Sequence, residues 1–152
     1  SSVSGLYGYG GQANYGAAKD AIAGFTRVVA KDLERYGVTA NAISPGAQTR
    51  MTDSIPDSTK DMRKGEFLPA PEGTLTTEPE QVAPMIVWLA SDQAAAVTGR
   101  IFHTVGNRVS LMNSPEQGRS IHKAGRWTVE ELAGVFPETI GMDLVNPAPP
   151  QD

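Results

Sequence analysis

From Gln12 to Tyr36 no proline interrupts the chain, and Ala18, Ile22, Phe25, Val29 and Leu33 recur at three- and four-residue steps. This is the stripe of an amphipathic helix, with Asp20, Arg27, Lys31, Asp32 and Glu34 largely on the other faces. Gly37 supplies the stop. The preceding residues 1–11, rich in glycine and serine, form a loop. Val38 to Ile43 reads as a short buried strand ended by Pro45-Gly46. Residues 47–76 are polar and broken by Pro56, Pro69 and Pro71. They read as a substrate-covering lid, with Phe67 and Leu68 as its apolar contacts. Thr77-Glu78-Pro79-Glu80 is a helix-start signature, a Thr with Glu three residues on. The helix it opens runs to about Ala90 and buries Val82, Met85, Ile86 and Leu89; Pro84 either delays its start or kinks it. Thr98-Gly99-Arg100 is a turn and Ile101 to Val105 a second strand. Beyond Met112 the chain is polar, with one modest helix predicted over Thr128 to Phe136 and a frayed NPAPPQD end.

Helix, strand, loop, helix, strand is the alternation of an α/β fold with a parallel sheet. Two strands make no stable sheet alone, so these apolar faces need partners that the 152 residues do not supply. A start at Ser1-Ser2-Val3, without methionine, reads the same way: the chain is a fragment. The expected division is 1–112 as part of a larger α/β domain and 113–152 as a C-terminal extension.

Composition narrows the chemistry. Seventeen acids against 13 bases give a net charge of −4, and no basic block offers a nucleic-acid or anionic-membrane surface. No apolar run approaches the roughly 20 residues of a spanning helix, and no cationic start with an apolar stretch marks a signal peptide. The absence of cysteine excludes a disulfide scaffold, a thiolate metal site and a cysteine nucleophile. It suits a cytoplasmic protein and an oxidising compartment almost equally. His103 and His122 share no ligand-like spacing, so no metal is expected.

Tyr15 and Lys19 stand four apart near the start of the long helix and project from one face. An ammonium beside a phenol stabilises the phenolate, which makes a tyrosine a usable general acid/base. The same pair is also common on helix surfaces, and spacing alone does not choose. Gly8-Tyr9-Gly10-Gly11-Gln12-Ala13 spells a dinucleotide fingerprint, but it follows a loop and not a strand, and its acid lies within the same helix. It is set aside as a phosphate site.

Ser2 lies thirteen positions before Tyr15, and Asn41-Ala42-Ile43-Ser44-Pro45-Gly46 follows the helix. Serine, Tyr-x-x-x-Lys and Asn-x-Ile-x-Pro-Gly at these separations resemble the short-chain dehydrogenase/reductase family. The resemblance implies the C-terminal part of a doubly wound, Rossmann-like parallel sheet, with the N-terminal half missing. It implies Tyr15 as proton donor or acceptor, Lys19 as its electrostatic partner and ribose ligand, and Ser2 as the group holding the substrate oxygen. Ser1 and Ser4 are rivals one or two positions out of register. Tyr15, Lys19, Pro45, Gly46 and Thr49 would meet the nicotinamide cofactor, NAD or NADP. Leu6, Tyr7, Tyr9 and Gln12 would shape the substrate entrance, or simply fill the loop. The family's phosphate-binding glycine turn would lie upstream of Ser2.

Pro45 to Met51, Val82 to Pro84 with Trp88-Leu89, and Gly125 to Trp127 are similar to the dehydrogenases that oxidise (3R)-hydroxyacyl-CoA thioesters in peroxisomal multifunctional enzyme type 2 and its bacterial relatives. This implies a 3-hydroxyacyl thioester as the small-molecule substrate and a homo-oligomer, dimer or tetramer, paired through the long helix. A steroid or other secondary alcohol, an acyl-carrier thioester, and a non-catalytic docking remnant without a complete cofactor site stay open.

Overall fold

The computed structural model describes residues 1–50, 54 and 77–145. The expected lid, Phe67 and Leu68 included, lies almost wholly outside the described residues, as does the chain from residue 146.

The long helix, α1 (Ala13–Leu33), begins after Gln12 and tightens into a 3₁₀ turn over Glu34–Tyr36. Gly37 then takes φ +69° and returns its N–H to the Glu34 carbonyl, the left-handed cap expected there. The buried face of α1 differs from the predicted one. Ala23, Thr26 and Ala30 are buried, whereas Ile22, Phe25 and Val28 are exposed, Phe25 by 69%. Small residues let the backbone of α1 lie close to its neighbours: Gly99 sits against Ala30. The buried Thr26 hydroxyl is satisfied by the Ile22 carbonyl at 2.8 Å. Ile22 and Phe25 of the expected stripe therefore point away from the sheet, whereas Val29 and Leu33 stay half-buried.

Strand β1 spans Ala42–Gly46, four residues later than the pattern predicted. Ala40 and Asn41 are held instead by the turn before the next strand. The Ala40 amide donates to Thr98 Oγ1, Asn41 Nδ2 donates to the Val97 carbonyl, and Asn41 Oδ1 accepts from the Arg100 amide. Pro45 lies inside β1, which proline tolerates where no ladder N–H is required of it.

Helix α2 (Ala83–Leu89) follows a 3₁₀ turn over Pro79–Val82. The capping box is one residue later than predicted, with Glu78 as cap and Gln81 closing it. Pro84 falls in the first turn of α2, where the missing N–H costs nothing, so the helix starts late and is not kinked. Val82 is buried; Ile86, expected inside, is 48% exposed.

Strand β2 (Ile101–Val105) pairs in parallel with β1, Ala42 opposite Ile101 and Ser44 opposite His103. A third strand, β3 (Arg108–Met112), returns antiparallel across Gly106-Asn107 and completes the order β1-β2-β3. The sheet is thus mixed, not purely parallel, with an antiparallel edge of the kind α/β sheets often carry. Ala23 of α1 packs with Ala42 and Ile101, flanked by Leu6 and Met112. Ile43, on the opposite face, lines an open cavity with Ile86, Leu89 and Ala90 of the α2 segment. Helices therefore cover both faces, the layering of a doubly wound fold.

The chain divides into two compact units, Ser1–Ser114 and Pro115–Asp152. In the second, α3 (Val129–Val135) matches the predicted helix and is capped reciprocally. The Glu131 amide donates to Thr128 Oγ1 at 3.2 Å, and the Thr128 amide to Glu131 Oε2 at 2.8 Å. Arg119 reaches the carbonyls of Thr139 and Met142. No helix among the described residues is long and apolar enough to cross a membrane.

Candidate active site

The first turn of α1 presents Tyr15 and Lys19 together: the Lys19 ammonium lies 5.4 Å from the centre of the Tyr15 ring. That is cation–π range and puts a positive charge beside the phenol. Tyr15 is 44% exposed and Lys19 half-buried, so the phenol faces outward from the helix start.

The glycine-rich loop folds back onto this turn. Residues Ser4–Gly8 form one π-helical turn, and the Ser2 carbonyl accepts from the amides of Gly5 and Leu6 at 3.0 and 3.1 Å. Gly5 touches the α1 backbone: a Cβ there would stand 2.5 Å from the Asp20 nitrogen and 2.9 Å from the Gly16 carbonyl oxygen. The three serines are held differently. Ser1 Oγ donates to the Lys19 carbonyl at 2.9 Å, Ser4 is buried, and half-buried Ser2, among the described residues, accepts at 3.3 Å from the Ser4 amide. The Ser2 hydroxyl proton is not used in that bond.

The C-terminal end of β1 joins the same region. The Ser1 nitrogen donates to the Ile43 carbonyl at 2.8 Å, so one residue ties β1 to the carbonyl of Lys19. Pro45 is exposed and Gly46 half-buried at the strand end, with Thr49 half-buried three residues on. Such strand ends are where open α/β sheets bind their ligands.

The four entrance residues separate. Tyr7 is 55% exposed with its hydroxyl 3.9 Å from Met112 Sδ; Tyr9 is buried; Leu6 packs on the core. Gln12 is half-buried with an Oε1 that is wholly enclosed and meets no donor among the described residues. His103, which the sequence offers only as a candidate metal ligand, has a different partner. Its Nδ1 lies 2.8 Å from the Ser44 carbonyl oxygen, both residues being buried. Only the strand register reveals it. Among the described residues no cluster of three His, Cys, Asp or Glu side chains is arranged to hold a metal.

The family model described as enoyl-(acyl carrier protein) reductase matches residues 1–106. A hydroxyacyl-CoA dehydrogenase of Mycobacterium tuberculosis is 38% identical over 137 residues, 90% of this chain and 41% of that protein. The 3-oxoacyl-[acyl-carrier-protein] reductase FabG of Escherichia coli is 41% identical over 106 residues, 69% of this chain and 42% of the relative. The crystal structure of a short chain dehydrogenase from Mycobacterium avium superposes with a TM-score of 0.71 at 39% identity, covering 93% of this chain and 43% of that one. The chain thus spans about two fifths of the length of the relatives it matches. On the family match over its first 106 residues, which contain all of α1, β1 and β2, the chain belongs to the short-chain dehydrogenase/reductase family.

Proposed function

We propose that the chain carries the catalytic part of a nicotinamide-dependent dehydrogenase, the N-terminal half of the dinucleotide-binding domain lying outside these residues. The observation that carries the reading is the docking of the Ser2 loop on the Tyr15–Lys19 turn beside the end of β1. In this reading residues 1–112 belong to that domain and 113–152 form an extension.

The residues present fit one end of such a cofactor. Pro45 and Gly46 leave the strand end without a bulky side chain, and a hydroxyl and an ammonium of the Tyr15–Lys19 pair suit a ribose diol. Bound NAD or NADP accepts or supplies the hydride. Tyr15 takes the proton from the substrate hydroxyl in oxidation and returns it to the carbonyl oxygen in reduction. Lys19 holds a positive charge beside the phenolate that takes the proton in oxidation and is left behind in reduction. Ser2, with its hydroxyl proton free to donate, holds the substrate oxygen. Thr49 completes the cofactor contacts, and Leu6, Tyr7, Tyr9 and Gln12 border the substrate entrance.

The substrate is a 3-hydroxyacyl or 3-oxoacyl thioester, with coenzyme A as the favoured carrier. Similarity to the M. tuberculosis hydroxyacyl-CoA dehydrogenase runs over 90% of the chain, whereas the E. coli carrier-protein reductase matches 69%. A 137-residue match in 152 residues must extend beyond residue 112 into the second unit. The protein acts in the cytoplasm, in lipid metabolism, as a homo-oligomer joined through α1.

The test uses protein expressed from the complete coding sequence. Nicotinamide absorbance is followed with 3-oxoacyl-CoA, 3-oxoacyl carrier protein and a ketosteroid, each with NADH and NADPH. The CoA thioester should be turned over fastest. Absence of turnover with every thioester and both cofactors would overturn the reading.

A further inference from the structure

We propose that His103 is a positioning residue for the cofactor end of β1, an inference that rests on the dehydrogenase reading above. His103 is 8% exposed and Ser44 is 0% exposed, and the parallel register sets them side by side on the α1 face of the sheet. His103 Nδ1 stands 2.8 Å from the Ser44 carbonyl oxygen and 3.3 Å from Ser44 Oγ. A carbonyl can only accept, so Nδ1 carries the hydrogen and the imidazole is the donor.

The bonded carbonyl belongs to the peptide joined to Pro45, the residue at which β1 reaches the ligand edge. The imidazole holds that peptide from the neighbouring strand by a side-chain bond that adds to the strand ladder. It also bounds the space beside Gly46. A Cβ on Gly46 would come 3.5 Å from His103 Cε1 and 3.0 Å from Cβ and Cγ2 of Val105. One buried ring thus holds the strand end by a hydrogen bond at Ser44 and, with Val105, closes the space in which a side chain at Gly46 would lie. His103 touches no reacting atom in this arrangement. It sets the height and tilt of the two residues assigned to the nicotinamide.

The experiment uses protein from the complete coding sequence as wild type, His103→Asn, His103→Gln and His103→Leu. Asparagine places an amide N–H near the position of Nδ1, glutamine carries its amide one bond too far, and leucine has no donor. Loss of one buried hydrogen bond should raise Kd and KM for the nicotinamide cofactor about tenfold in the Gln and Leu variants. The Asn variant should stay within about threefold of wild type, as should kcat at saturating cofactor in every variant. A histidine that merely fills space would lower the melting temperature and leave the cofactor KM unmoved. Equal cofactor affinity in the folded Asn and Gln variants overturns the proposal, even where the Leu variant is not recovered folded. A wild type that uses no nicotinamide cofactor overturns the dehydrogenase reading, and this role with it. An active wild type with unshifted variants overturns the role of His103 alone.

Discussion

Gly5 and Asp20 meet backbone to backbone, so closely that a Cβ at Gly5 would stand only 2.5 Å from the Asp20 nitrogen. Gly16 answers from the helix side, where a Cβ would stand 3.1 Å from the Ser4 carbonyl oxygen. No side chain lies between that could swing aside. The approach sets the spacing between the Ser2 loop and the Tyr15–Lys19 turn, because Gly5 and Leu6 both donate to the Ser2 carbonyl.

Gly5→Ala should therefore damage stability and turnover together. Overpacking against rigid backbone costs about 1–3 kcal/mol, and the loop can relieve it only by moving Ser2 away from Tyr15. Gly10→Ala is the control, since nothing stands within 4 Å of its Cβ position. It should shift stability by no more than about 0.5 kcal/mol. A Gly5→Ala protein with the melting temperature and kcat of wild type would show that the loop does not depend on this contact.

Tyr15→Phe in the complete enzyme removes one hydroxyl and keeps ring and helix. Kcat should fall by about 100- to 10,000-fold, the usual share of a general acid/base, with a far smaller loss of cofactor affinity. Lys19→Ala should harm both turnover and cofactor binding, since its ammonium serves phenol and ribose. The alternative is an ordinary surface pair 5.4 Å apart. That alternative leaves the Tyr15→Phe enzyme within tenfold of wild-type turnover, which would end the catalytic assignment.

What the sequence made legible was local. The i, i+4 spacing is sufficient to bring Lys19 to Tyr15, Gly37 to end α1, and Thr128 with Glu131 to open α3. What it hid was set by pairing between distant segments. Val38 to Asn41 read as strand, but Asn41 spends its side chain on Val97 and Arg100, so β1 starts at Ala42, four residues later, and runs through Pro45. Gly106-Asn107 was a readable hairpin signal, yet Val109 and Leu111 in β3 face outward and give no buried alternation. On α1 the larger apolar residues read as the inner face, but close packing on the sheet selects Ala23 and Ala30. The same holds at the site. The use of the Ser1 hydroxyl by the Lys19 carbonyl distinguishes it from Ser2, and the Ser44–His103 bond exists only once β1 and β2 are in register.

Residues 1–152 produced alone should self-associate. Phe25 is 69%, Val28 57% and Ile22 38% exposed on one helix, and an apolar face of that kind seeks a partner. Sedimentation should show mass rising with concentration, and Phe25→Glu should lower it. A monomeric chain that unfolds cooperatively would contradict both this expectation and the assignment of α1 to a subunit contact.

The capping box of α3 makes a prediction about pH. The Lys123 ammonium, 2.5 Å from Glu131 Oε1, is the main cause holding the Glu131 carboxyl below its ordinary value of 4.5, helped by the Thr128 amide. A carboxylate with a depressed folded value lends stability that is complete above the unfolded value. That stability is lost as pH falls through the folded one. The N-terminus of α3 should thus stay capped at pH 4.5 and loosen only in stronger acid. The carboxyl carbon shift of Glu131 should titrate with a midpoint below 4.5. Lys123→Met should move that midpoint upward, while Thr128→Ala should move it less and cost about 0.5–2 kcal/mol of helix stability through the lost cap. Lys123 also lies 5.3 Å from the Trp127 ring, so the Met variant should alter Trp127 fluorescence as well. A Glu131 midpoint unmoved by Lys123→Met would show that the ion pair is not what holds the carboxyl low.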